Sequence, residues 1–229
     1  MPIWYDFMSL FFPRVCASCA NTLLRHEQCI CQFCLHHLPA TDFHRFRDNP
    51  VAKLFWGRAE VEAAAACFYF HKGSRVQHLV HGLKYKGLKE TGIFLGRHYG
   101  RILQRCEDFS DVDYVVPVPL HVRKKRLRGY NQSELFARGL ALSMGAVADT
   151  KTLVRISATE TQTRKSRFLR WENVKEVFFL TDPQMFRGKH VLLADDVVTT
   201  GATLEACVHE IRKSGEVRVS IACIACALK

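Results

Sequence analysis

Two adjacent aspartates, Asp195 and Asp196, follow the apolar run "HVLLA" (190–194) and precede Val197, Val198, Thr199, Thr200, Gly201, Ala202 and Thr203. The apolar run reads as a short buried strand. The pattern "TLEACVHEIRKSG" (203–215) reads as a helix stopped by Gly215. In a parallel α/β sheet, ligands bind at the C-terminal ends of strands. A helix N-terminus there offers backbone N–H groups to a phosphate, and small residues with hydroxyls let the chain approach it. Two carboxylates would repel that phosphate directly. They make sense facing neutral hydroxyls, as on a sugar, or a magnesium ion between them and the ligand. The local chemistry is that of a sugar phosphate, with hydroxyls toward Asp195 and Asp196 and phosphate at residues 199–203. Neither the Gly-x-x-x-x-Gly-Lys pattern nor Gly-x-Gly-x-x-Gly occurs here.

A second chemistry is written in sulfur. Cys16 and Cys19 form one Cys-x-x-Cys pair, and Cys31 and Cys34 a second after eleven intervening residues. Two such pairs can hold a structural zinc through four thiolates. A segment this short has little core, so the metal would supply folding energy. Cys29 is the alternative to Cys31 in a shifted register, and His26, His36 and His37 read as surface residues. "CIAC" at 223–226 has the same form but lies in the apolar run "VRVSIACIACAL", which fits a core strand better.

The elements that must position these groups follow from periodicity. Residues 59–70 read as a strand entering a turn, and 76–87 and 91–106 as helices. Tyr114–Pro117 reads as the end of a buried strand, with Pro117 and Pro119 closing its ladder. Residues 121–132 read as a basic loop, 133–144 as a helix, and 161–180 as a second basic stretch leading to a strand. Ile3, Phe7, Leu10 and Phe11 share a helical face before Pro13. Strand, helix and strand over 190–226 make a parallel βαβ unit.

The 229 residues carry a formal charge of +11 and ten cysteines, with 48% hydrophobic residues. That composition supports a packed core and favours anionic partners. No apolar run has the length of a membrane span, and the start does not read as a signal peptide. A reducing, cytoplasmic location is the expectation, with metal binding ahead of disulfides.

"VLLADDVVTTGAT" resembles the phosphoribosyl pyrophosphate (PRPP) motif of type I phosphoribosyltransferases. With "VVPVPLHVRKKRLRGYNQSELFARGLA", "LKYKG" and the cysteine pairs, the chain resembles the ComF family, which is associated with DNA uptake in natural transformation. The resemblance implies an α/β, parallel-sheet type I phosphoribosyltransferase fold over 46–229 and a zinc-ribbon-like four-cysteine module over 1–45. It implies PRPP, with magnesium, at Asp195–Thr203, and Asp195 and Asp196 as catalytic residues if the site turns over. "PVPLH" (117–121) matches the pyrophosphate loop, bringing in Pro119, Leu120, His121, Arg123 and Arg128. "TQTRKSRFLRWENV" resembles the flexible loop that closes over the reaction centre. A rival reading makes the protein a binding module for single-stranded DNA. Lys84, Lys86, Arg123, Lys124, Lys125, Arg126, Arg128, Arg164, Lys165 and Arg167 would then track phosphates, and Tyr130, Phe168 and Trp171 would stack on bases. A third reading is a scaffold docking on a helicase-like protein.

Overall fold

The computed structural model describes residues 13–156 and 177–227. The expected helix around Ile3–Phe11, and Arg164, Lys165, Arg167, Phe168 and Trp171, lie outside them. The elements run α1 (Gln32–His37), α2 (Pro50–Lys53), β1 (Ala64–Tyr69), α3 (Arg75–Tyr85), α4 (Lys89–Leu103), β2 (Tyr114–Pro117) and α5 (Val122–Arg128). They continue with α6 (Gln132–Met144), β3 (Val147–Ala148), β4 (Leu153–Ile156), β5 (Val177–Leu180), β6 (His190–Val198), α7 (Ala202–Ile211) and β7 (Arg218–Cys226).

Five strands form one parallel sheet in the order β1-β7-β6-β2-β3, while β4 and β5 make a separate antiparallel pair. The central strands are apolar on both faces, as a sheet covered by helices requires. Val191 to Ala194 and Ile221 to Ala225 are fully buried. The 223–226 cysteines sit in this core strand, so "CIAC" packs rather than binds metal.

Two expectations are corrected by the ladder. β6 does not stop at Ala194. β7 continues to Cys226, and its backbone carries β6 onward through the pairs Asp195↔Cys223, Val197↔Ala225 and Val198↔Cys226. The neighbour on the other side does stop: β2 ends at the pair Pro117↔Ala194, with one further bond from Val118 N to Ala194 O (2.9 Å). The acidic pair therefore lies where β6 loses one neighbour and a crevice opens. The second correction is residues 122–128, expected as loop. They form helix α5, capped at its start by His121, whose Nδ1 accepts from Arg123 N (3.1 Å), and ended by Gly129 at φ 76°.

Helices α4 and α6 cross at backbone distance, and glycine permits it. A methyl on Gly96 would lie 2.2 Å from Phe136 O, and one on Gly139 would lie 2.3 Å from Ile93 O. Gly92 and Gly100 continue the same stripe against Leu135 and Leu140. This crossing fixes α6, whose first turn points at the end of β6.

Candidate functional site

The Asn131 side chain caps α6 by accepting from Ser133 N (3.1 Å), and its amide donates to Val118 O (3.0 Å). That pins the start of α6 to the end of β2. The next two residues then reach the acidic pair. Ser133 Oγ donates to Asp195 Oδ1 (2.8 Å), and Gln132 Nε2 donates to Asp196 Oδ2 (3.0 Å). Lys84, from the last turn of α3, places Nζ 2.7 Å from the same Asp196 oxygen. Asp196 Oδ1 accepts from Val197 N (2.7 Å), and Asp195 Oδ1 from Asp196 N (2.8 Å). Burial and the neighbouring Asp196 charge push the Asp195 carboxyl up to about 7, against the pull of the Ser133 hydroxyl.

Beyond the pair, Asp195 and residues 197–204 line a pocket of about 50 Å³ at the N-terminus of α7. One water needs about 10–15 Å³ of such space, so the pocket holds a few waters or one tetrahedral oxyanion. Gly201 turns the chain into α7 at φ 76°, with no side-chain cap on the helix. Its α-hydrogen side faces Phe55, since a Cβ there would sit 3.2 Å from the ring. Arg58 donates to Thr200 O (3.2 Å) and pairs with Glu205, so the stretch after α2 holds the loop from outside. A larger cavity, about 360 Å³, opens elsewhere, lined by Glu60, Glu62, Lys189, Arg212 and Arg218. Its charges pair off, Arg212 with Glu60 and Lys189 with Asp113 (3.3 Å), and converge on no common point.

Asp196 does not fit a directly coordinated magnesium. That ion wants an octahedron of oxygens and keeps several waters, yet both Asp196 oxygens already accept from protein donors and one of them faces an ammonium.

The basic residues distribute unevenly. Arg123, Lys124 and Arg126 are exposed on α5, and Lys86 is exposed just after α3. Arg128 donates to Gln132 Oε1 (2.8 Å) and lies over the Tyr85 ring (5.2 Å). Lys125 is 3.7 Å from Glu134. Tyr130 donates its hydroxyl to Leu83 O, with the Lys89 ammonium over its ring (5.2 Å). Lys84 is turned inward onto Asp196 rather than outward to solvent. Pro119, Leu120 and His121 form the stretch between β2 and α5, beside the crevice.

The Sγ atoms of Cys16, Cys19, Cys31 and Cys34 all lie within 4.8 Å of one another. Four sulfurs at about 2.3 Å from a central ion stand roughly 3.8 Å apart, and Cys19 and Cys31 are separated by 3.8 Å. The donor set fits a metal ion. Cys31 caps α1 and Cys34 lies in its first turn, so the second pair is carried on a helix start. Glu27 closes the intervening loop, accepting from Leu24 N and Gln32 N (both 2.7 Å). Burial raises the Cys16 thiol, but the N–H groups of Cys31, Cys19 and Ser18 outweigh it and bring it down to about 7. Burial pushes Cys34 up to about 12. A cation among the sulfurs would offset that cost by stabilising the thiolates. Cys29 stands outside the cluster and is raised by burial and by Glu90. His26, His36 and His37 are also outside it. Among the described residues, no helix is long and apolar enough to cross a membrane.

Sequence reasoning missed Gln132 and Ser133, and it assigned Lys84 to phosphate contacts rather than to Asp196. The "YNQSE" capping signal after the basic segment could have placed the first two near the strand end.

A parallel sheet carrying an acidic pair and a phosphate-type loop at its C-terminal edge is the frame of the phosphoribosyltransferase class. Residues 130–228 match the family model described as the phosphoribosyl transferase domain. The chain is 30% identical over 219 residues to the DNA utilization protein YhgH of Escherichia coli K12, covering 92% of this chain and 89% of that protein. It is 35% identical over 149 residues to its namesake in Salmonella typhimurium; that stretch is 64% of this chain and only 65% of the relative's length. It is 32% identical over 122 residues to competence protein F of Haemophilus influenzae, 53% of each chain. The chain belongs to the ComF family, an α/β type I phosphoribosyltransferase fold with an N-terminal cysteine module.

Proposed function

We propose that the crevice at the end of β6 binds PRPP or a related ribose phosphate, and that the protein acts in the uptake or processing of transforming single-stranded DNA. The observation that carries the ligand reading is the 50 Å³ pocket lined by Asp195 and residues 197–204 at the start of α7. Its N–H groups and helix dipole suit a 5′-phosphate. Asp195 borders the same pocket and suits a ribose hydroxyl. Pro119, Leu120 and His121 lead from β2 into α5, which carries Arg123 and Arg128, and a pyrophosphate on the β2 side of the crevice would meet this segment. The cysteine cluster holds zinc, which ties residues 16–34 into one small unit. The DNA reading rests on the names of the relatives and on the exposed cations Arg123, Lys124 and Arg126 of α5.

Thermal unfolding of the zinc-loaded protein tests the ligand reading. Ligand at about 100 times its dissociation constant adds roughly 2.7 kcal/mol when only the folded state binds. The expected result is a PRPP shift larger than that of pyrophosphate at matched ionic strength, lost in Asp195→Asn/Asp196→Asn. Equal shifts from PRPP and pyrophosphate would refute a ribose site. For DNA, engagement of three cations of α5 predicts a logarithmic salt slope of about −2 for single strands. Binding that is unchanged in Arg123→Ala/Lys124→Ala/Arg126→Ala would remove α5 from the interface.

A further inference from the structure

We propose that Lys84 is a built-in cation of the ribose site, and that the acidic pair recognises the ribose hydroxyls without a divalent metal ion. This rests on the ribose-phosphate reading above. Lys84 Nζ stands 2.7 Å from Asp196 Oδ2, with the lysine side chain 23% exposed and the aspartate side chain 8% exposed. A pair so withdrawn from water is held by its Coulomb attraction and its hydrogen bonds together. Gln132 Nε2 supplies a second donor to the same oxygen at 3.0 Å, and Val197 N occupies the other oxygen at 2.7 Å.

Asp196 is thereby fixed in orientation and neutralised from behind. Among the described residues no ammonium pairs directly with Asp195, which feels the Lys84 charge only at longer range. Its Oδ1 accepts from Ser133 and from Asp196 N, and it is the member of the pair that lines the phosphate pocket. The division of labour follows. Asp195 meets the ligand, while Asp196, with Lys84 behind it, lowers the repulsion between the carboxylates and an incoming phosphate. A magnesium ion between pair and ligand would do that same electrostatic work, and the ammonium does it here from the last turn of α3. Asp196 is a positioning residue in this account, and so is Lys84.

The test is calorimetric titration with ribose 5-phosphate, which has the hydroxyls and phosphate but no pyrophosphate to carry magnesium in. Buffers are stripped of divalent ions before the protein is added, so the cysteine cluster keeps its metal. Wild type is expected to bind equally well with and without added magnesium. Lys84→Met is expected to bind about tenfold more weakly without magnesium, the scale of one lost charge-assisted bond, and to recover when magnesium is added. Lys84→Arg is expected to keep metal-independent binding. A purely structural role for Lys84 predicts weakening that magnesium does not rescue, and that result overturns the proposal. Wild-type binding that requires magnesium overturns it too and leaves the ribose-phosphate reading standing. No binding by folded wild type in either buffer overturns the ribose-phosphate reading itself, and the proposal with it.

Discussion

Replacing Gly139 with alanine is predicted to lower stability, although alanine is the better helix former. The methyl would lie 2.3 Å from Ile93 O and 2.8 Å from Gly96 Cα. Ordinary carbon contacts stand at about 3.5–4.0 Å, so α4 and α6 must part by roughly 1 Å. Overpacking costs about 1–3 kcal/mol, and a clash of backbone with backbone belongs at the upper end because no rotamer relieves it. Alanine's helix propensity returns about 1 kcal/mol. The net loss is about 2 kcal/mol, or a fall in Tm of about 4–8 °C for a chain of this size. Gly82→Ala is the control. Its methyl meets only the Leu88 side chain, at 2.8 Å from Cδ1, and that side chain can turn away. Thermal unfolding of both variants, zinc-loaded, reads the difference. Because α6 presents Gln132 and Ser133 to the acidic pair, Gly139→Ala also weakens ribose-phosphate binding, whereas Gly82→Ala leaves it intact. A Gly139→Ala protein that melts at or above the wild-type temperature would refute the close-crossing argument.

Gly201→Ala places a side chain at φ 76° and against the Phe55 ring at 3.2 Å. It should cost about 1–2 kcal/mol and weaken phosphate binding about tenfold; unchanged affinity by calorimetry would count against the loop. Elemental analysis should return one zinc per wild-type chain and well under one for Cys34→Ser, which should also melt earlier. Full metal content in Cys34→Ser would remove that residue from the cluster. The Asp111 carboxyl is held down to about 2 by its hydrogen bonds from Arg218 and from buried His190. Its contribution is present above the unfolded value of about 3.9 and is lost as pH falls through about 2. Asp111→Asn should therefore melt below wild type at pH 6, with the gap closing between about pH 4 and 2. A gap of constant size across that range would exclude the carboxylate charge as its source.

The chemistry-bearing segments were legible because each is local. The two Cys-x-x-Cys pairs announce a four-sulfur cluster by spacing, and "DDVVTTGAT" announces a strand end turning into a helix. The expected βαβ unit appears as β6, α7 and β7. What the sequence hid is set by partners far along the chain. β6 runs on to Val198 because β7 does. The cationic 122–128 segment is helical, with Lys125 near Glu134 and Arg128 on Gln132 and Tyr85. Lys84 read as a phosphate-tracking cation, since nothing within its own segment reveals that Asp196, 112 residues later, receives it. The Gly92, Gly96, Gly100 and Gly139 stripe gives no local signal either, because its meaning lies in the facing helix.

The central claim is that residues 195–203 form a ribose-phosphate site. A crystal structure of the zinc-loaded protein with ribose 5-phosphate tests it most directly. The account predicts the phosphate at the start of α7, bonded to backbone N–H groups of residues 200–203, with a ribose hydroxyl on Asp195. Ligand found instead along Arg123–Arg128, with the pocket below Gly201 holding only water, would contradict it.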